Sequence, residues 1–142
     1  MKETSAGAVI FRIEKQQRLY LLLHYGPEGH WDFAKGHIEG KETEEQTMRR
    51  EAAEETGITD VKVIPGFRHV ISYFYQREGK HTAKDVIYLL AETKTAQVTI
   101  SWEHSGFAWL PFEDALKKIT YANSKIVLKK AAAFLDSHRA QQ

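Results

Sequence analysis

The sequence has no cysteine and only three prolines among its 142 residues. Without thiols, disulfide cross-links and thiolate metal sites are excluded, although that alone does not fix the compartment. Long hydrophobic runs are missing as well. The most apolar stretches, Leu19 to Leu23 and Val86 to Ala91, fall far short of the roughly 20 residues a bilayer-spanning helix needs. The opening MKETSAGAVIF puts no extended apolar core behind Lys2, so no secretory signal is expected and a cytoplasmic location is the reading. Nor is there an excess of charge of either sign. A net charge of +1 leaves little for binding nucleic acid through charge alone, so an anionic ligand must be met locally or through a metal.

What is present is ordinary for a globular chain: 42% hydrophobic and 27% charged residues, with no repeat, low-complexity tract or linker. The length suits one domain over residues 1–142, burying about two-thirds of its unfolded surface. A monomer is the simplest expectation.

The pattern predicts strands over Thr4–Ile13 and Arg18–His24, joined as a hairpin through Glu14–Gln17. A glycine- and proline-bearing loop at Tyr25–His30 follows, then a short extended piece at Trp31–Ala34 leading to Lys35-Gly36. Val61–Gln76 reads as strand with a bend at Pro65-Gly66, REGKHTAK (Arg77–Lys84) as a polar hairpin loop, and Asp85–Thr93 as a strand. Short strands are expected at Gln97–Ile100 and Gly106–Leu110, and helices at Glu113–Ile119 and Ser124–His138. In the last helix Val127, Ala131, Phe134 and Leu135 form a core-facing stripe. The order of elements fits an α+β mixed sheet covered by helices rather than alternating βαβ units.

One helix stands out. Thr43 and Gln46 make a capping box and Gly57 a C-cap, which sets its limits at Glu44–Thr56. Its apolar content is thin: Met48, Ala52 and Ala53. Glu51, Glu54 and Glu55, at i, i+3 and i+4, stack on one face at its C-terminal end. The helix dipole already makes that end negative, so the arrangement is unfavourable unless a cation arrives. A hard divalent ion held by oxygen ligands fits. A solvated acidic helix laced with ion pairs, such as Arg50 with Glu54, is the plain alternative.

The wider pattern separates the two readings. Gly36, Glu42, Arg50-Glu51, Glu54-Glu55 and Gly57-Ile58 follow G-x5-E-x7-R-E-U-x-E-E-x-G-U (U bulky apolar), with Ala52 a small residue at its U position. This resembles the signature of the Nudix hydrolases. The resemblance implies the Nudix fold, an α/β/α sandwich around a mixed sheet, and cleavage of a nucleoside diphosphate linked to another group. It also implies magnesium as the cofactor, with manganese able to take its place. Glu51 and Glu55 would hold the metal, with Glu54 beside them as a further ligand or as the base that activates water. Arg50 would pair with Glu42 and tie the loop to the helix.

Softer matches extend the likeness. AGAVIFR (Ala6–Arg12), HW (His30-Trp31), KGHIE (Lys35–Glu39), GFRH (Gly66–His69), VIYLLAE (Val86–Glu92) and WEHSGFAWL (Trp102–Leu110) look like the asymmetric diadenosine tetraphosphate hydrolases of animals and archaea. That likeness implies a small-molecule nucleotide substrate, while the short apolar runs leave no membrane partner expected and the near-neutral charge disfavours nucleic acid. Lys35 and His37 fall in the K-G-H segment, where the imidazole would face the phosphate chain or else brace the loop. Glu103 would reach the metal from the side opposite the helix, and either it or Glu54 would serve as base. Tyr73, and Tyr121 opposite it, would stack on a base, and Lys84 and Tyr88 would contact phosphates. His69, His81 and His104 receive no role. Two departures are Ala34 where proline is usual and Gly40-Lys41 where proline-glycine is common, the lysine adding a cation near the phosphate route. Alternative substrates are a nucleoside triphosphate, an RNA 5′ end or an inositol pyrophosphate. A non-catalytic nucleotide-binding module is a further alternative, disfavoured because no signature residue is lost.

Overall fold

Two strands buried on both faces set the architecture. β1 (Lys2–Glu14) and β2 (Gln17–Tyr25) pair antiparallel, and their side chains alternate between two cores. Val9, Phe11, Tyr20 and Leu22 face one core, and Ala8, Ile10, Leu21 and Leu23 face the other. With both faces covered, a strand reads as a nearly continuous apolar run, which is what LYLLL is. The computed structural model describes residues 2–139; the one-domain expectation also reaches Met1 and 140–142, which lie outside the described residues.

Among the described residues the sheet has eight strands. After β2 come β3 (His30–Asp32), β4 (Ala34–His37), helix α1 (Glu44–Thr56) and β5 (Lys62–Val63). Then follow β6 (His69–Arg77), β7 (Lys80–Glu92), β8 (His104–Leu110), α2 (Phe112–Lys118) and α3 (Ala122–Arg139). β1 runs parallel to β7 from Lys2↔Ala83 to Phe11↔Glu92 and antiparallel to β2 and β4, so the sheet is mixed. β2 also carries β3 and β8, and β7 carries β5 and β6. Met48 and Ala52 of α1 close one core; α2 and α3 close the other with Ala115, Val127, Leu128, Ala131 and Leu135. The result is the α/β/α sandwich expected.

Three expectations change. Lys35–His37 is not a loop: as β4 it pairs with Ser5–Ala8 of β1. Arg77–Lys84 is mostly ladder, because the turn is only Glu78-Gly79, both at positive φ (53° and 77°). Gln97–Ile100 forms no strand, yet Val98 and Ile100 pack on the α1-side core. There the Thr99 and Ser101 amides donate to the Thr56 and Glu55 carbonyls (2.9 and 3.3 Å). With Gly57 in the left-handed cap, these donors satisfy the carbonyl end of α1 that the acidic residues crowd. The same segment delivers Glu103 and His104 beside Glu55.

Candidate active site

The capping box at Thr43 forms as the sequence requires, and it fixes the phase of α1 so that Glu51, Glu54 and Glu55 look toward β4. A cleft of about 380 Å³ opens there, lined by Glu51, Glu54, Arg50, Lys35, Gly36, His37, Lys84, Glu103 and Tyr25. Gly36 is what lets α1 come so close. A β-carbon on it would overlap the Glu51 carboxyl carbon and lie 2.5 Å from Oε2. Gly7 does the same for the neighbouring strand, since a β-carbon there would lie 2.6 Å from Lys35 Cβ.

The carboxylates differ in setting. Glu55 is buried, its Oε1 accepting from the Lys35 amide (3.0 Å). Burial pushes its pKa up to about 8, Glu51 and Glu103 adding to the rise and the Lys35 amide opposing it. Glu51 is half-buried and also raised, first by desolvation, against the pull of Arg50. Glu54 and Glu103 are exposed. Beside Glu55, the His104 ring is fully buried, with Nδ1 against Ser101 Oγ (2.8 Å) and Nε2 3.7 Å from Glu55 Oε2 without a hydrogen-bond partner.

Arg50 is the hub. It grips Glu42 with two nitrogens (2.7 and 2.9 Å) and donates to Glu51 (2.8 Å), Glu54 (3.3 Å) and the His37 carbonyl (2.9 Å). That grip, with the Glu39 amide and the Thr47 hydroxyl, holds Glu42 down at about 2. The expected Arg50–Glu42 pair is therefore present. Glu42 itself stands outside the carboxylate cleft and acts by anchoring Arg50.

A second cleft, also about 380 Å³, is lined by Tyr73, Phe74, Tyr75, Tyr121, Val86, Asp32, Lys35 and Lys84. Tyr73 is half-buried, and Tyr121, about half exposed, leans on His30 (centroids 5.3 Å apart). Lys35 and Lys84 line both clefts, so the aromatic hollow and the acidic hollow share a wall of two cations. Tyr88 is not brought to either: it is fully buried against Phe33, its hydroxyl without a hydrogen-bond partner. A larger groove, about 800 Å³, lies elsewhere, rimmed by the Arg68–Glu44 pair, and meets none of Glu51, Glu54 and Glu55.

Among the described residues no three His, Asp or Glu side chains stand already gathered as a metal site. Arg50 bridges Glu51 and Glu54. The donor set still suits a hard divalent ion. Its atoms are carboxylate oxygens, burial and, to a lesser degree, neighbouring carboxylates raise Glu51 and Glu55, and the unpartnered His104 Nε2 lies 3.7 Å from Glu55 Oε2. Sequence reasoning passed over Asp32, Tyr25 and Ser101. Asp32 had one signal, a charged residue within an extended piece otherwise rich in aromatics.

Comparison with known proteins agrees with this geometry. The NUDIX domain family matches residues 1–130. The chain is similar to bis(5′-nucleosyl)-tetraphosphatase [asymmetrical] of Mus musculus, at 33% identity over 94% of this chain and 95% of that one. The Caenorhabditis elegans protein of the same name is 36% identical over 92% and 95%. Among solved structures, a C. elegans Ap4A hydrolase binary complex superposes with a TM-score of 0.79 at 31% identity, covering 95% of this chain and 98% of that one. With the signature intact from Gly36 to Ile58, the chain belongs to the Nudix family of hydrolases.

Proposed function

We propose that this protein is a magnesium-dependent pyrophosphohydrolase of dinucleoside polyphosphates, with diadenosine tetraphosphate cleaved to ATP and AMP. One observation carries the reading: Lys35 and Lys84 line both the aromatic cleft and the carboxylate cleft. A base stacked between Tyr73 and Tyr121 would gain about 1–3 kcal/mol per ring. Its phosphate chain would then cross two ammonium groups before reaching the glutamates. The names and identities of the animal relatives support the same substrate class.

Glu51 and Glu55, with Glu54 or Glu103, would hold the metal, which when bound supplies charge neutralisation at the phosphate oxygens and lowers the pKa of water. Glu54 or Glu103, both solvent-facing, takes the proton from the attacking water. The water oxygen bonds to a phosphorus, the bridging P–O bond on its far side breaks, and the leaving phosphate departs with the bond's electrons. Arg50 keeps Glu51 and Glu54 oriented, while the Lys35 amide fixes Glu55. His37, at the end of β4 in the carboxylate cleft, faces the same phosphates.

The test is a panel of dinucleoside polyphosphates, nucleoside triphosphates and capped RNA incubated with magnesium, products being identified by chromatography. ATP plus AMP as the fastest reaction supports the proposal. A clear preference for nucleoside triphosphates or RNA ends refutes the dinucleotide assignment.

A further inference from the structure

Asp32 is the unexplained group in the cleft wall. Its side chain is 2% exposed, yet it is a carboxylate at the end of β3 in a wall made otherwise of aromatics, Val86 and two lysines. Burying a carboxylate costs several kcal/mol even when it is paired, and an apolar residue of similar size would serve packing as well. Its two oxygens have separate partners. Oδ1 accepts from the Phe33 amide (2.8 Å), which locks the carboxylate plane, and Oδ2 meets Lys35 Nζ at 3.2 Å.

Lys35 is held from two other directions. Its ammonium lies 4.9 Å from the centroid of the Tyr25 ring, and that ring is fixed by its hydroxyl donating to the Phe33 carbonyl (2.6 Å). Its backbone is clamped by the β1 pairing opposite Gly7 and by the bond to Glu55. A lysine ordinarily carries a mobile charge on a four-carbon stem. Here the charge is pinned at the boundary between the two clefts.

We infer that Asp32 is a positioning residue that fixes the Lys35 ammonium and so sets which phosphate of an oligophosphate chain lies over the carboxylates. The inference rests on the proposed reading of the clefts as base and phosphate sites. A base seated at Tyr73 and Tyr121 fixes one end of the chain, the carboxylates fix the point of attack, and the pinned ammonium fixes the count of phosphates between them. A free lysine could follow a substrate that slid by one phosphate; a pinned one cannot. Lys84 lines the same boundary and supplies a second positive charge.

The test is a double-mutant cycle of Asp32→Asn, Lys35→Met and the pair, run on the nucleoside oligophosphate that the unsubstituted protein cleaves fastest. A wrong substrate assignment then shows in the unsubstituted protein, and a wrong role for Asp32 shows in the cycle. Losing a charge-assisted contact, Asp32→Asn is expected to raise KM about tenfold while kcat changes less. A second pair of cleavage products should appear, from attack at the neighbouring phosphorus. In the Lys35→Met background Asp32→Asn should change neither KM nor product ratio. If Asp32→Asn does not fold, Asp32→Ser, which keeps an acceptor for the Phe33 amide, takes its place. Independently, trace acetylation read by mass spectrometry should find Lys35 several-fold more reactive relative to exposed Lys41 in the Asp32 variant. Effects that multiply fully in the double variant, one product pair throughout, or equal Lys35 labelling would each overturn the inference.

Discussion

Replacing Gly36 by alanine separates the stability of this protein from its chemistry. Gly36 does not lie in the left-handed region, so an added methyl meets no backbone penalty. What it meets is the Glu51 carboxylate, with Oε2 only 2.5 Å from the new carbon. Normal contacts of this kind are about 3.5 Å, and the carboxyl carbon and Oε1 lie closer still, so the carboxylate must withdraw by more than about 1 Å. That carboxylate ends a flexible side chain, so the withdrawal is easy for the fold, and the alanine also lowers the entropy of the unfolded chain by about 0.4–1 kcal/mol. Melting should shift by no more than about 4 °C. The proposed reaction would be less tolerant, because magnesium demands ligands at about 2.0–2.1 Å in near-ideal geometry. A misplacement of about 1 Å costs on the order of a hundredfold in rate. Gly7→Ala is the control: its methyl would lie 2.6 and 2.8 Å from Lys35 Cβ and Cα, a backbone conflict that costs about 1–3 kcal/mol or more. The assay is kcat/KM against magnesium concentration, with thermal melts of the same samples. Gly36→Ala enzyme with normal magnesium dependence and rate, or one melting as low as Gly7→Ala, refutes the reasoning.

Other outcomes follow from the same geometry. Glu51→Gln or Glu55→Gln nearly abolishes turnover in the panel assay while circular dichroism stays native; retention of most of the turnover would remove these residues from the metal site. Tyr73→Ala raises KM about ten- to hundredfold with kcat little changed, the loss of one stacked ring; an unchanged KM would move the base elsewhere. Glu42 is held at about 2, below its ordinary 4.5, so as pH falls the unfolded chain takes up the proton first. Its stabilising contribution is therefore complete above about pH 4.5 and is lost as pH falls toward 2. The melting-temperature gap between the unsubstituted protein and Glu42→Gln should close over that range, and a constant gap would contradict the Arg50 anchor.

The elements with strong local chemistry were legible in the chain. The Thr43–Gln46 box and Gly57 delimit α1 as observed, and the alternating apolar residues of β1 and β2 fall on the two cores. β4 was hidden because Lys-Gly-His has little strand preference; it is a strand only because Ser5–Ala8 of β1 offers an edge with small side chains. The β6–β7 ladder runs through polar residues because both faces are wet near its tip, which erases the alternation that marks a strand. Lys35, His37, Glu103, Tyr73, Lys84 and Tyr121 were named through resemblance, and the structure gathers them into two adjoining clefts. Tyr88 was named with them and sits in the core, since a strand residue's face depends on a register that one sequence does not display. Asp32 and His104 matter through what packs against them, and no local pattern announces that.

Arg50 carries a consequence for ion selectivity. Its guanidinium is a resident counter-ion, already bonded to Glu51 and Glu54 and locked from behind by Glu42. Any cation entering among those carboxylates must outcompete it. A sodium or potassium ion brings no more charge than the guanidinium and none of its directional hydrogen bonds, so the exchange gains nothing. Doubling the charge changes the balance. On the proposed metal role of these carboxylates, the cleft would sort ions by valence before it sorts them by radius, with a threshold set by one arginine of its own.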